Sequence, residues 1–600
     1  MAADEIQKPT GININIDGRD LQVPAGTTII KAAQQVEKFI PHFCYHPGLT
    51  VVGQCRMCYV EIEGQKKLAT ACSTTVTEGM KIKTDSEFVK RGQNSTLEFV
   101  LLDHPLDCPI CDRGGECKLQ DYTYEHGPSR SRMTEDKELL LKHETISNNV
   151  VLDQERCILC TRCTRFSSEI DGRAELVVNE RASKSKINVF NGQLMESPFS
   201  GNVVDLCPVG ALTSKDYRFK ARPWELRHFD GLCTGCSAGC NVEIHTKHRH
   251  PGITRPDKQS PTPEIERLVP RENQMVNDWW LCDAGRWGYH FNNEDSKRLY
   301  SPMIRRNQNL ESTSLKEIQA SIEAVSGEWE FWVWDEAPHE EIAWAKSLLS
   351  SWNKRGRKVA GFNPLNYSKK FMEIWAAQAS QPLFSSPVNY RSYKKIVSQL
   401  ESYRSLETLV PILATTFGPR VRNKTLLWET RSSKDFFDAK DDLTSTLYLM
   451  DLPRTEGDLK LYKSIPEGAH ALPLLNHLNS RGLLNEGITP VEILEGEMAD
   501  AHPRGPVFVF AQSTQRKLPK NFVNYLKQAP FVVIADSQSG KLSDLANVVL
   551  PLELLYETKF TATNVGNLRQ VSEGVQIRNP NYPAIQRGST TVVSPTLQLL

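Results

Sequence analysis

Cys157-Ile-Leu-Cys160-Thr-Arg-Cys163, completed by Cys207-Pro208, is the stretch that decides how the first half of this chain is built. Three thiols at C-x2-C-x2-C spacing, with a fourth beside a proline, form a quartet suited to a 4Fe-4S centre. They follow Val150 to Leu152, a short apolar run that reads as a strand. Working outward, all fifteen cysteines of the 600 residues lie between Cys44 and Cys282. With His104 they divide into four sets of four, and no cysteine is left over. Scattered core thiols would not divide in this way, so the first half reads as a series of redox centres and implies electron transfer.

The first set is Cys44, Cys55, Cys58 and Cys72, with the close pair in Gly53-Gln-Cys-Arg-Met-Cys58. Four thiolates suit a 2Fe-2S or a 4Fe-4S cluster, and structural zinc is the competing reading. Upstream, Ile12, Ile14 and Ile16 alternate with polar residues, Asp17-Gly18 supplies a hairpin turn, Leu21 to Val23 returns, and Thr28 to Val36 has helical spacing. This opening resembles the β-grasp of plant-type 2Fe-2S ferredoxins. The resemblance makes the first centre 2Fe-2S, although the gap between its first two cysteines is wider than the plant-type spacing.

The second set is His104, Cys108, Cys111 and Cys117. Three thiols need a fourth ligand, and His104 stands four residues before the first. An imidazole in place of a thiolate removes negative charge and makes a centre easier to reduce. Gly114 and Gly115 let the backbone close tightly round a bulky inorganic core. In the Cys157 set, the run is similar to that of two-cluster bacterial ferredoxins, where the fourth cysteine of each run serves the other cluster. Here Ser167 stands where that fourth cysteine would be, while Cys207-Pro208 is kept without its three partners. One 4Fe-4S centre is therefore retained and the other lost.

The last set is Cys233, Cys236 and Cys240, followed 42 residues later by Cys282. It resembles the 4Fe-4S site at the front of molybdopterin oxidoreductases, as do Cys282-Asp-Ala-Gly285 and Arg298-Leu-Tyr-Ser-Pro302-Met-Ile-Arg305. Ala284 stands where that family typically has Lys between cluster and pterin, which puts electron traffic through this centre in doubt.

Taken in order, the four sets resemble the large iron-sulfur subunit of respiratory complex I, the NADH-quinone oxidoreductase, in its bacterial type with four clusters. The resemblance implies one 2Fe-2S and three 4Fe-4S clusters. The domains it implies are a 2Fe-2S β-grasp domain at 10–88, a 4Fe-4S domain with one histidine and three cysteine ligands at 89–140, a ferredoxin-like 4Fe-4S domain at 141–225 and a molybdopterin-oxidoreductase-type 4Fe-4S domain at 226–290. Residues 291–600 would then form a shortened molybdopterin-oxidoreductase-like α/β region without cofactor. The fold class is thus multidomain α+β and α/β.

That second half has no cysteine after Cys282, so no thiolate can ligate molybdenum there, although Ser or Asp ligation stays open. Its apolar runs Phe331 to Trp334, Leu447 to Met450, Val507 to Phe510 and Phe531 to Ile534 alternate with helical patterns such as Ile342, Ala345, Leu348, Leu349 and Trp352. Such alternation predicts a mainly parallel sheet. Asn479-Ser-Arg-Gly482 and Ala546 to Pro551, continuing through Glu557 to Thr561, Thr563, Asn564 and Gln570, resemble the molybdopterin family in part; Phe560 replaces a usual Gly and Gly566 is one place early. Trp279, Trp280, Trp329, Trp332 and Trp334 read as core or interface. The runs Lys81 to Lys90 and Arg132 to Lys142 read as solvated faces or subunit contacts.

Bulk properties exclude more than they add. Basic and acidic residues balance at 72 each, so no basic field advertises nucleic acid. No run of some 18 apolar residues occurs and Met1 to Ile6 lacks a signal-peptide pattern, which predicts a peripheral protein on the cytoplasmic side of the inner membrane, reaching the membrane only through partners. Thiolate ligands need a reducing compartment.

The resemblance implies conduction rather than a substrate-turnover site. Electrons from NADH would arrive through a flavin subunit, enter at the Cys44 set, pass to the Cys157 set and then the His104 set, and leave to a ferredoxin-like 4Fe-4S subunit and the quinone-site subunits. The Cys233 set would lie off this route. Alternatives are the iron-sulfur subunit of an NAD-linked hydrogenase or formate dehydrogenase complex, and a zinc-rich interaction scaffold.

Overall fold

The computed structural model describes residues 11–235, 239–247, 264–274, 276–294, 297–299, 301–333, 359–364, 447–450, 470–473, 503, 505–510, 520–552, 560–563 and 569–573. The chain divides into two compact units, Met1–Glu225 and Leu226–Leu600.

The first unit opens with β1 (Gly11–Ile16) and β2 (Arg19–Pro24), antiparallel about a two-residue turn in which Asp17 and Gly18 both have positive φ. That turn matches the right-handed twist of the strands it joins. The Asp17 carboxylate also accepts from the Thr84 amide at 2.8 Å, which fixes the turn to the end of the domain. Helix α1 (Ile29–Gln35) starts at an extended Thr28, inside the helical stretch expected from spacing, and buries Ile29, Ile30, Ala32 and Ala33. With β3 (Tyr59–Ile62), β4 (Ala69–Thr70) and β5 (Met80–Lys83) the strands form a sheet of order β2-β1-β5-β3-β4, in which β1 and β5 are parallel. This is the expected β-grasp arrangement. Cys58 and Cys72 are part of its core, packed with Ile14, Ile16, Ile30 and Val60, so the first thiol set is built into the domain's hydrophobic interior.

Helix α2 (Glu87–Leu101), capped by Ser86 accepting from the Val89 amide, leads to the loop bearing His104 and Cys108. Helix α3 (Lys118–His126) begins directly after Cys117. Beyond it, β6 (Glu144–Thr145), β7 (Val150–Leu152) and β10 (Leu212–Ser214) form a small sheet of order β10-β7-β6, and β8 (Leu176–Asn179) pairs with β9 (Lys186–Val189). The strand expected before Cys157 is thus β7, buried along its whole length. Helix α4 (Arg162–Arg165) runs into one π-helical turn, Phe166–Ile170. Helix α5 (Asn202–Leu206) stops at Cys207, which is extended, because the ring of Pro208 disfavours helical backbone at the residue before it.

In the second unit β11 (Arg227–Leu232), β12 (Asn241–Lys247) and β13 (Glu264–Pro270) form an antiparallel sheet, and α6 (Asp283–Trp287) starts at Cys282. A seven-stranded sheet follows, in the order Asn309–Ser312, Met303–Arg306, Val548–Pro551, Val532–Asp536, Val507–Phe510, Trp329–Val333 and Val359–Pro364. Five of its strands are parallel, as three of the four apolar runs predict, and an antiparallel hairpin forms one edge; the fourth run, Leu447–Met450, pairs in parallel with His470–Pro473 in a separate two-stranded sheet. Trp329 and Trp332 are fully buried, and Trp332 packs on Phe522 and Tyr525 of the helix Lys520–Gln528, which gives these tryptophans a core role. The helical pattern at 342–352, Trp334 and Asn479-Ser-Arg-Gly482 lie outside the described residues. Among the described residues no helix is long and apolar enough to cross a membrane.

Candidate metal centres

In the Cys44 set the sulfurs gather in two pairs. Cys58 and Cys72 Sγ are 3.4 Å apart, and the Cys44 amide donates to Cys55 Sγ at 3.4 Å. Two thiolates on one tetrahedral metal, with metal–sulfur bonds of about 2.3 Å, stand about 3.8 Å apart. The Cys58 and Cys72 sulfurs are therefore close to the spacing that a shared metal requires, and Cys44 meets Cys55 through its amide. The hydrogen bond from Cys55 holds the Cys44 thiol down to about 5, while the same contact and burial push Cys55 up.

His104, Cys108, Cys111 and Cys117 line one cavity of about 540 Å³. His104 Nδ1 is buried without a hydrogen-bond partner, and burial, with Lys137 and Arg156 nearby, holds its ring down to about 4. A neutral imidazole with an unused ring nitrogen is a metal ligand in waiting. Glycines make the room: a Cβ at Gly210 would lie 2.1 Å from Cys111 Sγ, and one at Gly114 would lie 2.9 Å from the Cys108 carbonyl. Gly115 has φ +95°, a conformation that side chains oppose, and a Cβ there would also strike Trp224.

Cys157, Cys160, Cys163 and Cys207 line a common pocket walled by Leu152, Ile158, Ile187, Val209 and Leu212. Burial, with the neighbouring thiols adding to it, pushes Cys160 up to about 11 and Cys163 well above its ordinary value. Four thiolates in an apolar pocket repel one another unless a cationic core neutralises them. Leu159 and Thr161 between these cysteines have positive φ, which turns the loop back on itself. Ser167, at the place of the lost cluster's cysteine, is buried, and its hydroxyl accepts from the Leu176 amide at 3.3 Å. Ser167 is thus a backbone clamp.

In the Cys233 set, Cys233, Cys240 and Cys282 are buried, and Cys236 lies outside the described residues. A Cβ on Gly285 would lie 2.8 Å from Cys233 Sγ and 3.5 Å from Cys282 Sγ, so these sulfurs face the same glycine. The Gly235 and Gly285 amides point at Cys233 and Cys282 at 3.5 and 3.3 Å, the donors that a thiolate accepts. Gln570 clamps this loop from afar, accepting from Asn241 Nδ2 at 2.6 Å and donating to the Gly239 carbonyl at 3.0 Å. Ala284 is exposed on α6.

Within the first unit the sets are joined. Gln54, beside Cys55, donates to the Leu159 carbonyl at 2.7 Å and to Thr161 Oγ1 at 3.2 Å in the Cys157 loop. Arg113, two residues after Cys111, donates to the Cys207 carbonyl at 2.7 Å. The Lys118 amide donates to the Pro208 carbonyl at 3.2 Å, so Cys207 to Gly210 serves two sets at once.

These polar residues escape a reading based on ligand spacing, as do those holding the His104 loop. Lys137 donates to the Leu101 and Leu102 carbonyls, while Lys142 and Arg156 converge on Asp107 at 2.6 and 2.8 Å. The run Arg132 to Lys142, read as a solvated face or subunit contact, thus includes anchors for the loop of a candidate ligand. Their only signal in sequence is charge beside a cysteine motif.

Outside the four sets, His228, Glu243 and His245 bring potential ligand atoms together. The Arg267 guanidinium donates to His245 Nδ1 at 2.9 Å, which puts the ring proton on Nε2, where it donates to Glu243 at 2.9 Å. The His228 and His245 rings also lie stacked at 3.9 Å, so their in-plane lone pairs do not converge. This group is a hydrogen-bonded stack.

Three family models match stretches of the first unit. Residues 10–87 match the family described as 2Fe-2S iron-sulfur cluster binding domain, 93–132 the NADH-ubiquinone oxidoreductase-G iron-sulfur binding region, and 147–213 the ferredoxin-like domain of NADH-quinone oxidoreductase subunit 3. The G subunit of the NADH-quinone oxidoreductase of Rickettsia felis is 39% identical over 419 residues, 68% of this chain and 58% of that protein. The chain is a relative of the G subunit of NADH-quinone oxidoreductase. The corresponding G subunit of Streptomyces coelicolor is 42% identical over 296 residues, 49% of this chain and 33% of that one. The chain thus spans between a third and three-fifths of the length of these relatives. A crystal structure of NAD+-reducing [NiFe]-hydrogenase in the H2-reduced state is 28% identical over 35% of this chain and 90% of its own, with a TM-score of 0.33. The chain therefore carries a 2Fe-2S domain and 4Fe-4S-binding domains of the type found in these G subunits.

Proposed function

We propose that this chain is the electron-relay subunit of an NADH:quinone oxidoreductase. Its Cys44 set would hold a 2Fe-2S cluster, and the His104, Cys157 and Cys233 sets a 4Fe-4S cluster each. The observation that carries this reading is the chain of contacts through the first unit. Gln54 ties the Cys44 set to the Cys157 set, and Cys207 to Gly210 ties the Cys157 set to the His104 set. The spatial order supported is Cys44 set, Cys157 set, His104 set, which differs from chain order. Electrons received from a flavin-containing, NADH-binding subunit would follow it and leave to a ferredoxin-like subunit on the way to quinone.

When bound, the clusters supply one-electron redox chemistry, while the protein supplies ligands, burial and hydrogen bonds. The chain's own residues support this part: apolar walls line the Cys157 set, amides point at sulfur, and a neutral imidazole at 104 would take the place of a fourth thiolate. The Cys233 set would stand aside as a structural centre, Ala284 giving no cationic side chain beside it, and the sheet beyond it would serve as scaffold without a pterin.

Cys160→Ser in the assembled complex tests the order. NADH should still reduce the Cys44-set centre, the His104-set centre should stay oxidised, and quinone reduction should fall to background. Normal reduction of the His104-set centre by NADH in that variant would refute the route.

A further inference from the structure

Arg165 lies one helical turn beyond the Cys157 loop and is 7% exposed, yet among the described residues it forms no ion pair. Its donors instead go to four main-chain carbonyls. Nη2 donates to Cys44 at 2.5 Å and to Cys160 at 3.4 Å, Nη1 to Thr50 at 2.5 Å, and Nε to Thr161 at 3.2 Å. Two of these carbonyls belong to cysteines of different sets, and the other two to the loops that carry those sets. A buried guanidinium served only by neutral carbonyls is costly to desolvate unless negative charge stands nearby. The Cys44 and Cys157 thiol sets, whose loops it bridges, would supply that charge as tetrathiolate centres. Arg162, three residues earlier, repeats the pattern more weakly: it is buried, and it donates to the carbonyls of Tyr45, beside Cys44, and of Leu206, beside Cys207.

We propose that Arg165 is a positioning residue that sets the reduction potentials of the Cys44-set and Cys157-set centres together, by holding one shared positive charge between their ligand loops. This rests on the iron-sulfur reading given under the proposed function. Adding an electron to either centre increases its negative charge, and the fixed guanidinium favours that reduced form at both. Its hydrogen bonds draw on the ligand backbones rather than on sulfur, so charge is supplied without competing for the metal. Because one cation serves both centres, a change at this residue moves both potentials in the same direction and leaves the His104-set centre, which it does not touch, where it was.

The test is EPR-monitored redox titration of the native complex carrying Arg165→Gln or Arg165→Lys, with iron content measured beside it. Arg165→Gln keeps an amide donor and loses the charge. It should disfavour reduction of both centres about tenfold, a fall of about 59 mV for a one-electron couple, with the His104-set potential unmoved. Arg165→Lys keeps the charge, and both potentials should stay within about threefold of the wild type in reduction equilibrium, or about 28 mV by the same relation. Unmoved potentials in an iron-replete Arg165→Gln complex would overturn the proposal. If that variant loses its iron, Arg165→Lys decides: a tenfold fall at either centre despite the retained charge would overturn it, and potentials near wild type support it. Absence of both signals from the wild-type complex would remove the iron-sulfur reading itself, an outcome distinct from signals that are present and unmoved.

Discussion

Gly210 shows how a single atom can decide whether a centre forms. A methyl group there would stand 2.1 Å from Cys111 Sγ and 3.2 Å from Arg113 Cβ, so the sulfur would have to leave its place. Arg113 is held at the Cys207 carbonyl, and Cys111 is among the sulfurs that line the His104 cavity. Overpacking of this kind costs typically about 1–3 kcal/mol, and here the cost falls on a ligand. Gly210→Ala should therefore lose the EPR signal of the His104-set centre while the Cys44-set signal remains; a full complement of signals would contradict the packing. His104 itself was legible in sequence because three thiols lacked a partner. Arg162 and Arg165 were not, because charged side chains in a motif read as solvated until burial and carbonyl contacts are seen.

At the scale of elements, spacing made β1, β2, α1 and β7 legible, since alternation and a two-residue turn act within a few residues. Contacts such as Lys137 to the end of α2, or Gln570 to the Gly239 carbonyl, join residues 36 and 331 apart and carry no local pattern. The sheet of β11, β12 and β13 gives a pH dependence of its own. His228 and His245 face each other across β11 and β12, and burial holds His245 below its ordinary value despite the Glu243 hydrogen bond that raises it. Below about pH 6.5 the unfolded chain takes up a proton that the folded ring resists, so stability falls as pH drops through that range. Glu243, lowered chiefly by its hydrogen bond from His245, contributes in a separate window below about 4.5. The Tm of the wild type should therefore fall more between about pH 7.5 and about pH 5.5 than that of His245→Gln; parallel declines would contradict a neutral buried His245.

For the molecule as a whole, the first unit binds three ligand sets into one network, and the second unit carries a fourth set beside a mainly parallel sheet. The cysteine positions made the grouping into candidate sets legible, because ligands must be thiolates or imidazoles at short range from a common core. Their spatial order was implied by the family resemblance but not by spacing, because it depends on α5 and Pro208 returning Cys207 to the Cys157 loop and then on to the His104 cavity. Iron at these sets separates an electron relay from a zinc scaffold. Mössbauer and metal analysis of the anaerobically purified native complex, combined with low-temperature EPR assigned by single ligand variants, should give about fourteen iron atoms for this chain, in one 2Fe-2S and three 4Fe-4S centres. Zinc in place of iron, or fewer than three centres traced to residues 44 to 207, would contradict it.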